Sequence, residues 1–316
     1  MATPLVSVII PSWRHERYIQ ECIESIISQS YGPIELLVID DASPDGTLQV
    51  AESLRPQCEA RFVRTVMLSK EKGNMAASCN MGIGMAQGEY IYLIASDDAA
   101  EPDAVKELVK VLESRPDAVL AVGDSAVMDG DSRRIGWDAD QRSIPLEEAP
   151  FKTFGEFFKL NGVFRREGGF GSYRSLLEGN YIPNGYLMRT SALRAVGGYN
   201  TSVLVEDWYM NLQLAKLGGM VYVPRILFRY RWHDSNTIKT YAAEETQRNI
   251  CRQIYDLEEA YCREHGFLPI LRRRHPDGLH CRWHRMRRRV LKSINRVLYI
   301  NLAKRRFRVF GRDFRF

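Results

Sequence analysis

The sequence predicts an α/β protein whose core is a doubly wound, mostly parallel sheet with helices on both of its faces. Through about the first 120 residues, short apolar runs alternate with segments whose apolar side chains recur at helical spacing. The apolar runs lack polar alternation, which is typical of parallel strands that are buried on both faces. With 316 residues, the chain is long enough to bury a sizeable core.

The first elements are marked by composition and by spacing. Residues 5–11 form an apolar, β-branched run that predicts a strand, and residues 18–30 carry apolar side chains on one helical face. A second apolar run, residues 34–39, ends in an Asp-, Ser-, Pro- and Gly-rich cluster that is typical of a turn before a helix. We therefore predict a helix over residues 47–54, followed by a third strand over residues 62–68.

The same alternation continues further along the chain. The remaining predicted elements are helices over residues 74–86, 103–113 and 207–217, and strands over residues 90–94, 120–122 and 221–230. Between these elements the pattern is less regular, and the Gly-rich residues 167–172 predict a mobile loop. Ligands of parallel sheets bind beyond the carboxyl ends of the strands, so the polar residues that follow the strands are the candidates for a site.

Three pairs of neighbouring acids lie at the ends of predicted elements. They are Asp40 with Asp41, Asp97 with Asp98, and Glu206 with Asp207. Helix capping or the helix dipole explains any one pair, because both favour acids at the start of a helix. The first two pairs, however, end strands of one sheet. Carboxylates at a shared edge suit a divalent cation such as Mg²⁺, together with a ribose or a base.

Phosphate-binding glycine motifs do not accompany these acids. The sequence has no G-x-x-x-x-G-K-[ST] motif and no G-x-G-x-x-G motif after the first strand, while Gly82 and Gly84 lie within a helical pattern. The sequence therefore argues against a kinase, an NTPase and a dehydrogenase.

Short motifs follow one another in a fixed order between about residues 5 and 237. They are VSVIIPSW (6–13), IDDASPDGT (39–47), KGN (72–74), NMG (80–82), GEYI (88–91), SDD (96–98), VGGY (196–199) and EDW (206–208). In this order they resemble the family 2 glycosyltransferases of the GT-A fold. The resemblance implies transfer of a sugar from a nucleoside-diphosphate sugar to a hydroxyl group, with inversion at the anomeric carbon.

The resemblance implies donor and metal contacts for five residues. Pro11, after the first strand, and Asp41 would contact the nucleotide, with Asp41 reading the base. Asn74 would lie in the loop on the nucleotide side. Asp97 and Asp98 match the D-x-D region, where Asp97 would contact the nucleotide sugar and Asp98 would ligate an Mn²⁺ or Mg²⁺ ion that bridges the diphosphate.

The resemblance also implies a general base, and it bears on a histidine. Asp207 matches the acid that takes the proton of the acceptor hydroxyl. His233 follows the strand over residues 221–230, and it is either a structural residue or, as the resemblance implies, a metal ligand or a group near the diphosphate. Two positions depart from the family pattern. Ala95 stands where many relatives have Asp, which removes one possible metal ligand, and Trp13 stands where Tyr is usual.

Charge is distributed unevenly along the chain. Residues 272–316 hold 16 Lys and Arg and two acids, a net charge of +14, whereas the whole chain carries +5 and the other 271 residues therefore carry −9. Residues 286–302 combine an apolar stripe with an Arg-rich face, which predicts an amphipathic helix on an anionic membrane surface. A helix packed on its own domain or on a second copy in a homo-oligomer fits the same pattern. The acidic body argues against nucleic acid as a partner.

We predict two regions in the chain. Residues 1–240 form the GT-A domain, with a nucleotide-sugar half over about residues 1–123 and an acceptor half over about residues 124–240. Residues 241–316 form a helical extension that ends in the basic tail, residues 272–316. No apolar run reaches 18 residues, no signal-peptide pattern is present, and the six cysteines are scattered. These features predict a cytoplasmic protein with reduced thiols, peripheral at the inner face of the cell membrane.

Together these features predict an inverting, metal-dependent glycosyltransferase of hexosyl or N-acetylhexosaminyl type. A UDP-sugar is the first choice of donor, and a glycan or a lipid-linked saccharide is the expected acceptor. A nucleotidyltransferase would share the sheet and the acids, but the sequence lacks a Gly-rich activating loop after the first strand. A non-catalytic sugar- or lipid-binding relative is the other alternative, because Ala95 removes a possible ligand.

Overall fold

The computed structural model describes residues 3–139, 141–240, 243–277, 306–309 and 312–315 of the chain. The fold divides into two compact units, Met1–Ala242 and Ala243–Phe316. Among the described residues, no helix combines the length and the apolar character that crossing a membrane requires.

A single sheet runs through the first unit. Its strands are β1 (Val6–Ser12), β2 (Ile34–Asp40), β3 (Arg64–Ser69), β4 (Tyr90–Leu93), β5 (Ala99–Ala100), β6 (Ala118–Met128), β7 (Arg134–Trp137), β8 (Ser143–Pro145), β9 (Tyr186–Arg189) and β10 (Gly219–Arg231). Within the described residues these ten strands join in the order β3-β2-β1-β4-β9-β6-β10-β5, with β7 paired to β6 and β8 paired to β7.

The helices of this unit connect the strands. They are α1 (Ile19–Ile27), α2 (Thr47–Ser53), α3 (Arg55–Arg61), α4 (Met75–Met85), α5 (Ala104–Ser114), α6 (Phe154–Leu160), α7 (Tyr173–Leu176), α8 (Thr190–Ala195), α9 (Glu206–Leu214) and α10 (Thr237–Thr240), with a 3₁₀ helix at Val163–Arg165.

Helices cover both faces of the sheet because the central strands are apolar on both sides. The side chains of Val8 and Ile10 belong to a buried core that includes apolar residues of α1 and α5. Between them, Ile9 faces α4, where a Cβ atom added to Gly82 would lie 2.6 Å from the Ile9 side chain. Fully burying one such isoleucine stabilises the fold by about 1.5–3 kcal/mol. This arrangement confirms the predicted α/β fold.

The carboxyl ends of the first three strands lie level at one edge of the sheet. β1 pairs in parallel with β2 and β4, and β2 pairs in parallel with β3. Ser12 lies opposite Asp40, and Asp40 lies opposite Ser69. The loops that follow these strands therefore meet in one place, which is where ligands bind in parallel sheets.

Some elements differ from the prediction. β6 extends well beyond the predicted residues 120–122, and the predicted third strand begins only at Arg64, because residues 55–61 form α3 with a proline in its first turn. The sequence does not predict β9. This strand pairs antiparallel with both β4 and β6 and fills the gap between them.

The second unit contains two helices that pack on each other, α11 (Glu244–Glu264) and α12 (Leu268–Arg274). Two further strands, β11 (Arg306–Val309) and β12 (Arg312–Arg315), form an antiparallel pair. The predicted helical extension is thus helical over α11 and α12, but this strand pair is not expected from the sequence. The predicted amphipathic helix over residues 286–302 lies outside the described residues.

Candidate active site

Three side chains converge beyond the carboxyl ends of β1, β4 and β10. Nε2 of His233 lies 3.0 Å from Oδ2 of Asp97, and Nε2 of His15 lies 3.7 Å from the same oxygen. One ligand atom from each of the three residues lies within 4.8 Å of the other two. The structure therefore brings together Asp97 and His233, both predicted site residues, with His15, which is not among them. We call these three residues the His–Asp cluster.

Two serine hydroxyls fix the orientation of the imidazole rings. Ser96 Oγ lies 2.7 Å from Nδ1 of His15, and Ser235 Oγ lies 2.8 Å from Nδ1 of His233. Because each Nδ1 atom has a hydroxyl partner, each Nε2 atom is turned toward Asp97. A hydroxyl group can donate to Nδ1 or accept from it, so these contacts fix the orientation of each ring for either tautomer.

The charges of the cluster act on one another. Burial alone would raise the pKa of Asp97, but the hydrogen bond with His233 and the nearby charges of both histidines hold the pKa below its ordinary value. Burial lowers the pKa of His15, against the opposing effect of the Asp97 charge. Asp97 is therefore an ionised carboxylate at neutral pH, held between two imidazoles.

Asp98 lies next to the His–Asp cluster and is anchored by Arg231. The backbone N–H of Arg231 donates to Oδ1 of Asp98 at 2.8 Å, and the guanidinium donates from Nε to the carbonyl oxygen of Asp97 at 2.6 Å. Arg231 is almost fully buried, and it also forms an ion pair with Glu21. Burial and the charge of Asp97 raise the pKa of Asp98 well above its ordinary value.

This group of residues fits a divalent cation. Imidazole nitrogens and carboxylate oxygens are ligands of divalent transition ions such as Mn²⁺. The ligand atoms within 4.8 Å of one another belong to His15, Asp97 and His233, so Asp98 is beside this cluster and not part of it. Within the described residues, the buried Oδ2 atom of Asp98 accepts no hydrogen bond of ordinary geometry, and the Asn184 side chain is close enough to oppose the burial-driven rise in the pKa of the carboxyl. A buried polar atom without a partner costs free energy, and a cation beside it would offset that cost.

Asp41 lies at the same edge of the sheet, in a cationic environment. Its carboxylate accepts hydrogen bonds from Lys72 Nζ and from the backbone N–H of Gly73, both at 2.8 Å, and from Lys70 Nζ. Burial opposes ionisation, but these donors hold the pKa of Asp41 below its ordinary value. Lys72 Nζ also lies 3.8 Å from the centre of the Trp13 ring. An ionised carboxylate thus lies near a half-exposed indole.

Two other predicted nucleotide contacts are part of the framework around Asp41. Pro11 is a buried residue of β1, opposite Ile39 of β2. Asn74 caps α4 through a hydrogen bond from Ala77 N–H, and its amide donates to the carbonyl oxygen of Thr201 at 2.9 Å. Both polar atoms of the Asn74 side chain are therefore engaged within the protein.

The third acidic pair begins α9 and has few hydrogen-bond donors. Asp207 accepts hydrogen bonds from Asn180 Nδ2 at 3.0 Å and from the backbone N–H of Trp208 at 2.7 Å. Burial raises the pKa of Asp207 above its ordinary value. Burial and the charge of Asp207 raise the pKa of Glu206 to about 7. This pair can accept a proton near neutral pH.

Contacts with α4 hold the segment that leads into α9. Asn80 donates to the carbonyl oxygen of Tyr199 at 2.8 Å and accepts from the Tyr199 N–H at 2.7 Å. Gly198 has a φ of +78°, and a Cβ atom there would lie 2.5 Å from Asn80 Oδ1. Only glycine fits at this position, because an added side chain would be strained and would meet the amide. The NMG and VGGY motifs thus have a shared structural role.

The two acidic pairs act on the same phenol group. Burial raises the pKa of Tyr230, and the charges of Asp98, Asp97 and Asp207 raise it further. The Tyr230 hydroxyl is therefore within electrostatic reach of Asp97, Asp98 and Asp207. Asp97, Asp98 and Asp207 thus belong to one region of the first unit.

The sequence profile of the family described as "Glycosyl transferase family 2" matches residues 7–178, which is more than half of the chain. The chain belongs to glycosyl transferase family 2. This family 2 match includes β1 from its second residue onward, β2 and β4, and the loops that carry His15, Asp41 and Asp97. Membership confirms the resemblance and identifies the protein as a glycosyltransferase, which excludes the nucleotidyltransferase alternative.

Curated relatives carry related names. An uncharacterized glycosyltransferase of Haemophilus influenzae is 28% identical over 264 residues, which cover 79% of this chain and 73% of the relative. The succinoglycan biosynthesis protein ExoO of Rhizobium meliloti is 30% identical over 193 residues, covering 60% of this chain and 52% of the relative. Glycosyltransferase GlyG of Streptococcus pneumoniae is 33% identical, but over only 38% of each chain.

Solved structures share the fold of this family 2 protein. Staphylococcus aureus TarS (residues 1–349), in complex with UDP-GlcNAc, has a TM-score of 0.60 at 18% identity and covers 86% of this chain and 72% of its own. The mannosyltransferase PcManGT of Pyrobaculum calidifontis, in complex with GDP-Man and Mn²⁺, has a TM-score of 0.63 at 17% identity, with coverage of 96% and 76%. At such identities the likeness shows the fold alone, which is the predicted one.

Two residues of the site are not among those predicted from the sequence. His15 lies three residues after β1, so the rule that polar residues after strands carry function would have selected it. Arg231 carries no comparable signal, because its partners Asp97, Asp98 and Glu21 are more than 100 positions away along the chain.

Proposed function

We propose that this protein transfers a sugar, with inversion, from a nucleoside-diphosphate sugar to a hydroxyl group of a glycan or a lipid-linked saccharide. One observation carries the proposal. In a single region, the carboxylate of Asp97 is held ionised by imidazoles, while burial keeps Asp207 ready to take a proton. The first environment suits a divalent cation, which would neutralise a diphosphate leaving group, and the second suits a general base.

The donor nucleotide would bind along β1 and β2. The Trp13 ring offers a face for the base, and the Asp41 carboxylate offers an acceptor for a base N–H group, flanked by Lys72. Pro11 and Asn74 would shape this part of the site. A UDP-sugar, of hexosyl or N-acetylhexosaminyl type, is our first choice. TarS, a protein of the same fold, is in complex with UDP-GlcNAc.

The diphosphate would lie at the carboxyl ends of β4 and β10. Asp98 and His233 would hold an Mn²⁺ or Mg²⁺ ion there, with Asp97 beside them on the side of the nucleotide sugar. When bound, this ion supplies positive charge that stabilises the departing diphosphate. PcManGT, which shares the fold, is in complex with GDP-Man and Mn²⁺.

Asp207 would act on the acceptor. In this role its carboxylate takes the proton of the attacking hydroxyl group, which approaches the anomeric carbon from the face opposite the diphosphate. Asn180 would hold the carboxylate in place through the 3.0 Å hydrogen bond to Oδ2. The reaction then gives a product of inverted configuration and a free nucleoside diphosphate.

We also propose that residues 1–240 are the catalytic domain and that the basic tail attaches it to an anionic membrane surface, at the cytoplasmic face. The tail carries a net charge of +14. Each Lys or Arg near such a surface contributes about 1 kcal/mol, and salt screens the attraction within a Debye length of about 8 Å.

Co-sedimentation with anionic vesicles tests the attachment. A variant that lacks residues 272–316 should stay in the supernatant, and it should release nucleoside diphosphate at the full-length rate.

A donor screen tests the proposed activity itself. UDP-, GDP- and dTDP-sugars are added with Mn²⁺ or Mg²⁺, and thermal stability and nucleoside-diphosphate release are followed. A ligand at 100 times its Kd stabilises the folded protein by about 2.7 kcal/mol, so a true donor is detected even without its acceptor. If no nucleotide sugar raises the melting temperature with either ion, the proposal is wrong.

A further inference from the structure

His15 places a second imidazole beside the carboxylate of Asp97. It follows β1 at the carboxyl edge of the sheet, and its ring shares Oδ2 of Asp97 with His233. The two histidine rings are 6.1 Å apart and nearly perpendicular, so neither stacks on the other. Both Nε2 atoms instead approach one carboxylate oxygen. Such an arrangement is typical of side chains that share a ligand.

The distances in the His–Asp cluster suit a single cation. Metal–nitrogen and metal–oxygen bonds of about 2.0–2.2 Å place two ligands of one ion roughly 3–4.4 Å apart, depending on the angle between them. The observed separations from Asp97 Oδ2 are 3.0 and 3.7 Å, and no pair of ligand atoms exceeds 4.8 Å. Side-chain shifts of a few tenths of an ångström would therefore complete the coordination.

The groups behind the two imidazoles point to the same role. Metal-bound histidines almost always form a hydrogen bond through the second ring nitrogen, which fixes the ring and the tautomer. Ser96 and Ser235 provide such a partner at Nδ1, at 2.7 and 2.8 Å. Each serine is a close neighbour in sequence of a cluster residue, because Ser96 precedes Asp97 and Ser235 follows His233 by two positions. Each Nε2 atom is thereby presented to the cation position.

We propose that His15 and Asp97 join Asp98 and His233, the metal ligands of the proposed function, and that the cluster of His15, Asp97 and His233 binds a divalent transition cation before the nucleotide arrives, with Mn²⁺ preferred over Mg²⁺. The proposal rests on the proposed function for the place of the donor diphosphate. It differs from the proposed function because the cation binds to the protein without the nucleotide. A site with one carboxylate would need the donor phosphates to bind its ion. A site with three protein ligands binds the ion without them.

The preference for Mn²⁺ follows from the two nitrogen ligands. Mg²⁺ binds through carboxylates, water and phosphates and gives up its waters reluctantly. Imidazole suits the later first-row ions best, and Mn²⁺, the weakest binder of that series, prefers carboxylate oxygen but accepts nitrogen beside it. A set of two imidazoles and one carboxylate therefore selects against Mg²⁺. It also leaves coordination positions open for the diphosphate of a donor.

Titration of the full-length, nucleotide-free protein with Mn²⁺ tests the proposal, with electron paramagnetic resonance reporting free Mn²⁺. We expect one bound Mn²⁺ per chain, which a tenfold excess of Mg²⁺ does not displace. His15→Ala should weaken the binding at least ~10-fold, because even the loss of an outer hydrogen-bond partner costs 10- to 100-fold. The matched control is His265→Ala, at an exposed histidine of the second unit, which should bind Mn²⁺ like the wild type.

Further measurements distinguish a loss of metal binding from a loss of folding. His15→Gln keeps the size of the side chain, and the melting temperatures of both His15 variants without metal show whether the fold is intact. Equal Mn²⁺ affinity of wild type and a folded His15 variant overturns the proposal, and so does the absence of nucleotide-free binding. If transfer needs a cation that binds only with the nucleotide, the proposed function stands and this proposal fails. If the protein binds Mn²⁺ through His15 but cleaves no nucleotide sugar, the reverse is true.

Discussion

Two pairs of neighbouring acids, in similar sequence settings, have different surroundings in the folded protein. Despite burial, imidazoles hold the pKa of Asp97 below its ordinary value, whereas burial and the charge of Asp97 raise the pKa of Asp98, which the buried Arg231 anchors. Glu206 and Asp207 are buried, and the hydrogen bonds described for them come from no cationic side chain. Both of their pKa values are therefore raised. Each pair follows the same sequence rule, yet the folded surroundings give it a different chemistry.

The comparison shows how one fold can place an ionised carboxylate, suited to a cation, and a carboxylate suited to accept a proton in different environments. A carboxylate with cationic partners is a poor base but a good ligand for a cation. A carboxylate that burial keeps close to protonation is the better base at neutral pH. Environments that push the pKa values of two acids apart assign the two roles.

The largest expected effect is at Asp207. Asp207→Asn keeps the shape of the side chain but removes the base, so sugar transfer should fall about 10²- to 10⁴-fold. Product formation from the donor found by the screen measures this loss. Asp117→Asn, at an exposed acid paired with Arg115, is the matched control and should retain full activity. Transfer within twofold of wild type in Asp207→Asn would show that the second pair is not the base.

The second largest effect is expected at Asp98, in the pair Asp97 and Asp98. Asp98→Asn should remove the thermal stabilisation that a nucleoside diphosphate gives with Mn²⁺, with a loss of affinity of about 100-fold, because a metal–phosphate contact contributes several kcal/mol. The same donor measured in excess EDTA should bind as weakly to the wild type. Undiminished affinity in EDTA would mean that the site works without a cation and that Ala95 marks the difference from metal-dependent relatives.

The pH dependence of the rate sharpens the contrast. The base must be deprotonated, and the pKa of Asp207 is raised, so kcat should increase with pH through that raised pKa and then level off. Below it, kcat should fall tenfold per pH unit. Burial and the charge of Asp207 raise the pKa of Glu206 to about 7, so Glu206 is still protonated while Asp207 titrates, and Glu206→Gln should leave the acidic limb in place. A limb that moves in this variant would show that Glu206 itself is the titrating base.

A smaller effect should appear in stability. Glu206 has a folded pKa of about 7 and an ordinary value of 4.5, so its contribution is favourable at low pH and is lost as pH rises from 4.5 to 7. Above pH 7 the buried charge therefore destabilises the fold. Glu206→Gln should raise the free energy of unfolding at pH 8 by about 1–3 kcal/mol, with no gain at pH 4. Chemical denaturation at the two pH values measures it, and a loss of stability at pH 8 would contradict the assignment.

The sequence predicts the first half of the fold because its signals are local. The strands that become β1, β2 and β4 are apolar runs whose burial on both faces needs no knowledge of their partners. β9 is different, because its four residues lie in an irregular region and only pairing with β4 and β6 defines the strand. Local patterns therefore predict elements, whereas they do not predict antiparallel insertions into a sheet.

The candidate site shows the same difference between local sequence patterns and long-range contacts. Asp41, Asp97, Asp98 and Asp207 are candidates from the sequence because each lies near the end or the start of a predicted element. What each acid does depends on partners from elsewhere, such as Lys70 and Lys72 for Asp41. These partners come from other loops, and only the folded chain brings them together.

The most direct test of the division of roles is calorimetric titration of one donor, with Mn²⁺, into two variants. Asp207→Asn should bind the donor with the affinity of the wild type, because the base contacts only the acceptor. Asp98→Asn should bind it about 100-fold more weakly, because the cation that contacts the diphosphate is lost. If the two variants bind the donor equally well, or equally poorly, the two acidic pairs do not divide the reaction between them and the account is wrong.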